Sequence, residues 1–186
     1  MENRKTQIIE LALKLIQQKG YVAFSYDDIS KQLNVTKASI HYHFEKKEDL
    51  GVAAAEWISQ SLQNFLAVIK DSSFSAEEKL MQFIRQRAER IRCNEICPIS
   101  SLQKDFESLP NPVRDKVEEV SRLELSIMNQ IVTEAQAEGI VSETENAGLL
   151  SITILSSIKG ALLYRRVLGD EVLNDVWNQI NRFLKF

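Results

Sequence analysis

Glycine, proline, cysteine and histidine are all scarce in this chain, at six, three, two and two in 186 residues. So few turn formers exclude a turn-rich all-β protein, and no stretch alternates apolar and polar residues. Apolar residues recur at spacings of three and four instead, so the fold is expected to be all-α. The two histidines stand at positions 41 and 43, which leaves the rest of the chain without an imidazole. With no glycine-rich phosphate loop and no metal-ligand spacing either, a Cys–His or Ser–His nucleophile pair cannot be assembled there. An enzyme is not expected, and no cofactor is implied. His41 and His43 lie two apart on a predicted helix, where they point to different faces, so they are not read as a metal pair. Cys93 and Cys97 supply at most half of a tetrahedral zinc site.

Long apolar runs are missing too. Residues 1–10 are polar and charged, so no signal peptide is read. The most apolar stretch, 146–167, is interrupted by Lys159 and by the hydroxyls of Ser151, Thr153, Ser156 and Ser157, which argues against a membrane span. A cytoplasmic protein is expected, and its two cysteines should remain thiols there. A hydrophobic content of 44% is ample for a core. The net charge of −3 is unevenly spread: residues 1–47 hold 8 Lys and Arg against 5 Asp and Glu, and the remainder 15 against 21. The N-terminal end is therefore basic and the rest acidic, an asymmetry that suits a polyanionic partner at one end.

The chain is organised around Ser25 to Leu50, SYDDISKQLNVTKASIHYHFEKKEDL. Ile29 and Leu33 share one face of a short helix, and Ser25 with Asp28 three residues on is a weaker form of the capping box at its start. Asn34 tolerates the left-handed conformation that a tight turn requires. Val35 folds back, and Thr36 is a good N-cap for a second helix to about His43 with Ile40 and Phe44 inward. Its other face carries Lys37, Ala38, Ser39, His41 and Tyr42. Two short helices joined by a three-residue turn, the second showing small, hydroxylic, aromatic and basic groups outward, make a helix-turn-helix with its reading helix second. Double-stranded DNA is the partner expected from this pattern.

The stretch VTKASIHYHFEKKEDL also resembles the signature of the TetR family of bacterial one-component repressors. By that resemblance Lys37, Ala38, Ser39, His41 and Tyr42 meet bases or backbone in the major groove, and Lys47 meets a phosphate. Two positions depart from the family pattern, which often has Gly where Asn34 stands and commonly Tyr where His41 stands. The resemblance further implies a body that holds a small-molecule effector and forms a homodimer through its last two helices.

Elsewhere the periodicity predicts a bracing helix over 6–19 ended by Gly20, with Ile8, Ile9, Ala12, Leu15 and Ile16 buried. Tyr21 and Phe24, with Val22 between, are expected to pack beneath the next helix. A long helix over 47–70 carries the stripe Leu50, Ala54, Trp57, Ser61, Phe65 and Ile69, and begins in the head and ends in the body. Ser75 and Glu78 open another helix, with Leu80, Phe83, Ile84 and Ile91 inward and Arg85, Arg87, Arg90 and Arg92 outward. Pro98 starts a helix that Ile99, Leu102 and Phe106 continue until Leu109-Pro110-Asn111-Pro112, where a longer helix opens and runs to Gly139. Residues 146–167 are apolar all round and so buried on more than one side, and 171–184 form a last amphipathic helix.

The expectation is about nine helices: a three-helix DNA-binding head over 1–46 and a six-helix effector-binding and dimerisation body over 47–186. Trp57, Phe83, Arg87, Cys97 and Phe106 are the effector-binding candidates, Cys97 because an N-cap position before Pro98 favours a reactive thiolate. Leu155, Leu162, Val176, Trp177 and Ile180 are expected to seal a four-helix dimer seam. A regulator released from a palindromic operator by a small molecule or an electrophile is the function these readings favour, and a DNA-binding architectural protein without an effector is the alternative.

Overall fold

A computed structural model of the chain describes residues 3–70, 73–91 and 95–184, with the side chains of 87–90 and 183 outside that description. Among the described residues there are nine α-helices, a single 3-10 turn and no strand. The helices are α1 (Arg4–Lys19), α2 (Tyr26–Leu33), α3 (Lys37–His43), α4 (Lys47–Lys70), α5 (Ala76–Arg90), α6 (Pro98–Lys104), α7 (Asn111–Ala137), α8 (Ala147–Leu168) and α9 (Glu171–Leu184), with the 3-10 turn Phe106–Ser108 between α6 and α7. They fall into two compact units, residues 1–61 with 98–121, and residues 62–97 with 122–186.

In the first unit the expected residues of α1 are buried, as are Ile29 of α2, Ile40 of α3 and Leu50 and Ala54 of α4. Each such isoleucine or leucine side chain contributes about 1.5–3 kcal/mol by leaving water. Tyr21 and Phe24 pack edge to face with ring centroids 5.7 Å apart. Val22 does not join them: it is 59% exposed, because the turn that points both rings inward swings the residue between them to solvent. The helix expected to continue through Phe106 stops at Lys104. Asp105 breaks it, since its carboxylate accepts from the Tyr21 N–H at 2.7 Å and the Val22 N–H at 3.5 Å. Beside it the Ser101 hydroxyl, buried, donates to the Ile16 carbonyl near the end of α1 at 2.6 Å. Gly51 is required for this packing, because a Cβ there would lie 2.7 Å from the Tyr21 ring and 2.9 Å from Val113.

The second unit includes residues 62–70 of α4 and residues 122–137 of α7. The Ser75 and Glu78 capping box opens α5 as expected, the Ser75 N–H donating to Glu78 at 2.8 Å and the Glu78 N–H to the Ser75 hydroxyl at 3.2 Å. Phe83, fully buried, meets Phe65 edge-on at 5.5 Å. Glu138 reaches the start of α5 and accepts from the Ala76 N–H, a carboxylate at a helix N-terminus where the dipole favours it. The periodicity gives α7 an apolar stripe but not what sits in it: Glu124 is buried at 1% exposure and accepts from the Lys159 ammonium of α8. The lysine that interrupts the apolar run of α8 is thus the partner of a buried acid. Arg165, also buried, donates to the Ile91 carbonyl at 2.6 Å.

Helix α8 is long and apolar enough to cross a membrane by length and composition alone. Within its unit Ile154, Leu155, Ile158, Ala161 and Leu162 pack as core, while Leu149, Ile152, Leu163, Tyr164 and Val167 are exposed. One side is therefore covered inside the chain and the other is not, where burial on more than one side was expected.

Candidate nucleic-acid interface

The corner from α2 to α4 is built from short-range hydrogen bonds. The Ser25 hydroxyl accepts from the Asp28 N–H, and the Asp28 carboxylate accepts from the Ser25 N–H at 2.7 Å, completing the capping box. Lys19 lies 2.8 Å from the same carboxylate. These contacts, the Lys19 hydrogen bond first and then those from Ser25, hold the Asp28 pKa at about 2. Asn34 has φ 52, in the left-handed region, and the Val35 N–H closes the turn onto the Ser30 carbonyl at 3.1 Å. The Ser30 hydroxyl donates to the Val35 carbonyl at 2.6 Å. Thr36 accepts from the Ser39 N–H at 3.2 Å and starts α3. Ile40 and Phe44 turn inward, so the opposite face of α3 is fixed by their burial.

On that face Lys37, Ala38, His41 and Tyr42 are exposed and Ser39 is half-buried. Tyr42 is the most open of them, at 85%. The Lys37 ammonium lies 2.7 Å from Asp27 of α2, with both side chains about half exposed. Such a pair is worth little in water and exchanges readily for another anion. The His41 ring sits edge-on against Tyr26 at 4.8 Å, and its Nδ1 lies 2.9 Å from the Glu45 carbonyl. His43 is half-buried and packs against Tyr42 at 5.1 Å.

Lys47, at the first turn of α4, donates to the Val22 carbonyl at 3.2 Å and lies over the rings of Phe24 and Tyr21, 4.5 and 4.8 Å from their centroids. Burial pushes its pKa down, against the pull of Asp28 and Asp105. Burial, with Glu48 and Asp49, raises the Tyr21 phenol to about 12. Tyr26, which sequence periodicity did not single out, donates its hydroxyl to the Phe44 carbonyl at 3.0 Å. It stands in the first turn of its helix, outside the apolar repeat, so only its position next to the N-cap could have drawn attention to it.

The five residues named for an effector are not gathered into one place within either unit. Trp57 and Phe106 belong to the first unit, Phe83 and Cys97 to the second. Trp57 is 41% exposed because the buried stripe of α4 runs through Ile58 and Leu62 rather than through residue 57. Phe106 is half-buried beneath the Arg114 guanidinium, 5.3 Å from its ring. Cys97 is a free, buried thiol. The Arg87 side chain, Arg92 and Cys93 lie outside the described residues. Two cavities within the second unit are lined by other residues: one of about 420 Å³ between α4 and α5, edged by Phe65, Val68, Phe74, Gln82 and Arg85, and one of about 500 Å³ between α8 and α9. Among the described residues no three His, Cys, Asp or Glu are grouped to hold a metal ion. Of the residues named for a dimer seam, Leu155, Leu162 and Ile180 are buried inside the single chain, and Val176 and Trp177 are half-buried.

Residues 8–54 match the sequence pattern of bacterial regulatory proteins of the tetR family, and residues 76–179 that of the tetracyclin repressor-like C-terminal domain. The biofilm operon icaADBC negative transcriptional regulator IcaR of Staphylococcus aureus is 32% identical over 80 residues, a stretch covering 43% of this chain and 43% of that relative. A TetR transcriptional regulator from Legionella pneumophila is 32% identical, covers 98% of this chain and 97% of its own, and superimposes with a TM-score of 0.89. A TetR-family regulator from Agrobacterium tumefaciens is 25% identical with 96% of each chain covered and a TM-score of 0.85. The capped helix-turn-helix, the all-α order of the described residues and these matches make the chain a member of the TetR family of transcriptional regulators.

Proposed function

We propose that this regulator binds a two-fold symmetric DNA operator as a homodimer, represses the adjacent gene, and is released when a small molecule binds the body over 47–186. The observation that carries the DNA half is the exposed face of α3, held by caps at both of its turns and showing Lys37, Ala38, His41 and Tyr42 to solvent. A helix of seven residues reads few base pairs, so two copies about 34–36 Å apart are needed for a useful site. The exposed apolar side of α8 supports the pairing: Ile152, Leu163, Tyr164 and Val167 form a face in front of which Gly160 leaves open space for a second helix. Leu155, Leu162 and Ile180 underlie that seam, and Val176 and Trp177 complete it. Repression rather than activation is taken from IcaR, described as a negative regulator. Acting on the chromosome, the protein works in the cytoplasm.

For release, the effector must bind the DNA-incompetent state more tightly than the competent one; tight binding alone shifts nothing. The α4–α5 cavity, lined half by Phe65, Val68, Ile69 and Phe74 and half by Asn64, Gln82, Arg85 and Gln86, suits an organic molecule with both apolar and polar parts. Phe83 and Cys97 lie buried in the same unit, and a reactive Cys97 requires that unit to open.

Fluorescence anisotropy with DNA from around the protein's own gene tests the reading. Wild type binds with a steep salt dependence, and Lys37→Ala and Tyr42→Ala weaken binding by about tenfold each. Lys47→Ala weakens all sequences alike by loss of a phosphate contact. No binding at low salt by a folded dimer contradicts the proposal.

A further inference from the structure

His41 has its ring held from two sides. A carbonyl oxygen can only accept, so the 2.9 Å contact between His41 Nδ1 and the Glu45 carbonyl places a proton on Nδ1. The flat of the ring is set by Tyr26, at 4.8 Å and 66°. Tyr26 is itself fixed by its hydroxyl on the Phe44 carbonyl at 3.0 Å. Burial, with Asp49 and Tyr21 adding to it, raises that phenol to about 12, so it keeps the proton it donates. Nε2 has no partner among the described residues, and the side chain is exposed on the outward face of α3.

In a neutral imidazole with Nδ1 protonated, Nε2 carries a lone pair and only accepts. That chemistry divides the groups on DNA. Phosphate oxygens accept, as do guanine N7 and O6 and thymine O4, so none of them can pair with this nitrogen. In the major groove the donors are the exocyclic amines, adenine N6 and cytosine N4. Resting on the reading of α3 as the DNA-facing helix, we propose that His41 is a specificity-determining residue whose Nε2 accepts a hydrogen bond from the amine of one adenine or cytosine in each half-site. The locked ring makes the contact selective, because a neutral imidazole can donate to a phosphate from Nε2 only by moving its single proton there from Nδ1, which breaks the Glu45 bond.

The test selects bound sequences from a random duplex pool with the full-length protein at mildly alkaline pH. Wild type is expected to restrict one position of each half-site to adenine or cytosine. His41→Phe, which keeps the packing on Tyr26 and removes both nitrogens, relaxes that position and no other. A second measurement works from the DNA side and is independent of the variant's folding. Replacing the restricted base by its counterpart lacking the amine weakens wild type by about fivefold to tenfold and leaves His41→Phe unchanged. A consensus that His41→Phe retains with uniformly lower affinity, or a position restricted to guanine, overturns the proposal by assigning His41 to the backbone or to an imidazolium donor. A folded wild type that selects no consensus overturns instead the reading of α3 itself.

Discussion

Between α2 and α4 the helix ends are closed by groups a few residues away: Ser25 by Asp28, the turn at Asn34 by Ser30, the start of α3 by Thr36, and the Lys46 N–H by the Asp49 carboxylate at 2.9 Å. In the second unit the decisive polar contacts span far greater separations, 35 residues from Glu124 to Lys159 and 74 from Ile91 to Arg165. Local caps dictate where a reading helix starts and which face it turns out, and they tolerate change at the surface. Long-range pairs and packed rings dictate how the body closes, and they tolerate very little.

Breaking the body should therefore cost most. Phe83→Ala removes a fully buried ring from its edge contact with Phe65 and should lower stability by about 3–5 kcal/mol in urea unfolding. A loss well under 1 kcal/mol would show that the ring is not core. Next comes Glu124→Leu, which strips the Lys159 ammonium of a buried carboxylate. It should cost about 3 kcal/mol, while the double change with Lys159→Met recovers most of that. If the double variant is no better than the single one, the pair is not coupled.

The same contrast explains what could be read in advance. Helix order, the capping boxes at Ser25 and Ser75, the left-handed Asn34 and the inward Ile40 and Phe44 follow from spacings of three or four residues, so the sequence carries them. Trp57 fits the spacing of the α4 stripe but not its burial, because 3.6 residues per turn lets a stripe drift over six turns and the buried line passes through Ile58 instead. Val22 points to solvent, against its apolar character, because a turn has no period from which its side can be read. The Tyr26 platform beneath His41, the break at Asp105 and the Glu124–Lys159 pair depend on partners 15 to 84 residues away, which no local pattern specifies.

In the head the effects should be smaller. Thr36→Ala removes the N-cap of α3 and should cost about 1 kcal/mol of stability, seen as a lower urea midpoint. An unchanged midpoint would mean that the fold, not the cap, sets the start of the helix. The smallest effect concerns acid. Asp28 falls from 3.8 to about 2 in the folded state, so its contribution is present above the unfolded value and is lost as pH drops from 3.8 towards 2. Asp28→Asn should flatten the acid limb of the unfolding curve in that window, and an acid limb identical to wild type would show that the Lys19 and Ser25 contacts do not hold in solution.

Amide hydrogen exchange of the full-length protein, with and without saturating operator DNA, tests most directly that α3 is the surface that meets DNA. Exchange should slow in residues 34–48, across the turn, α3 and the first turn of α4, through contact with the duplex. DNA that binds but slows exchange only within the second unit would contradict that account.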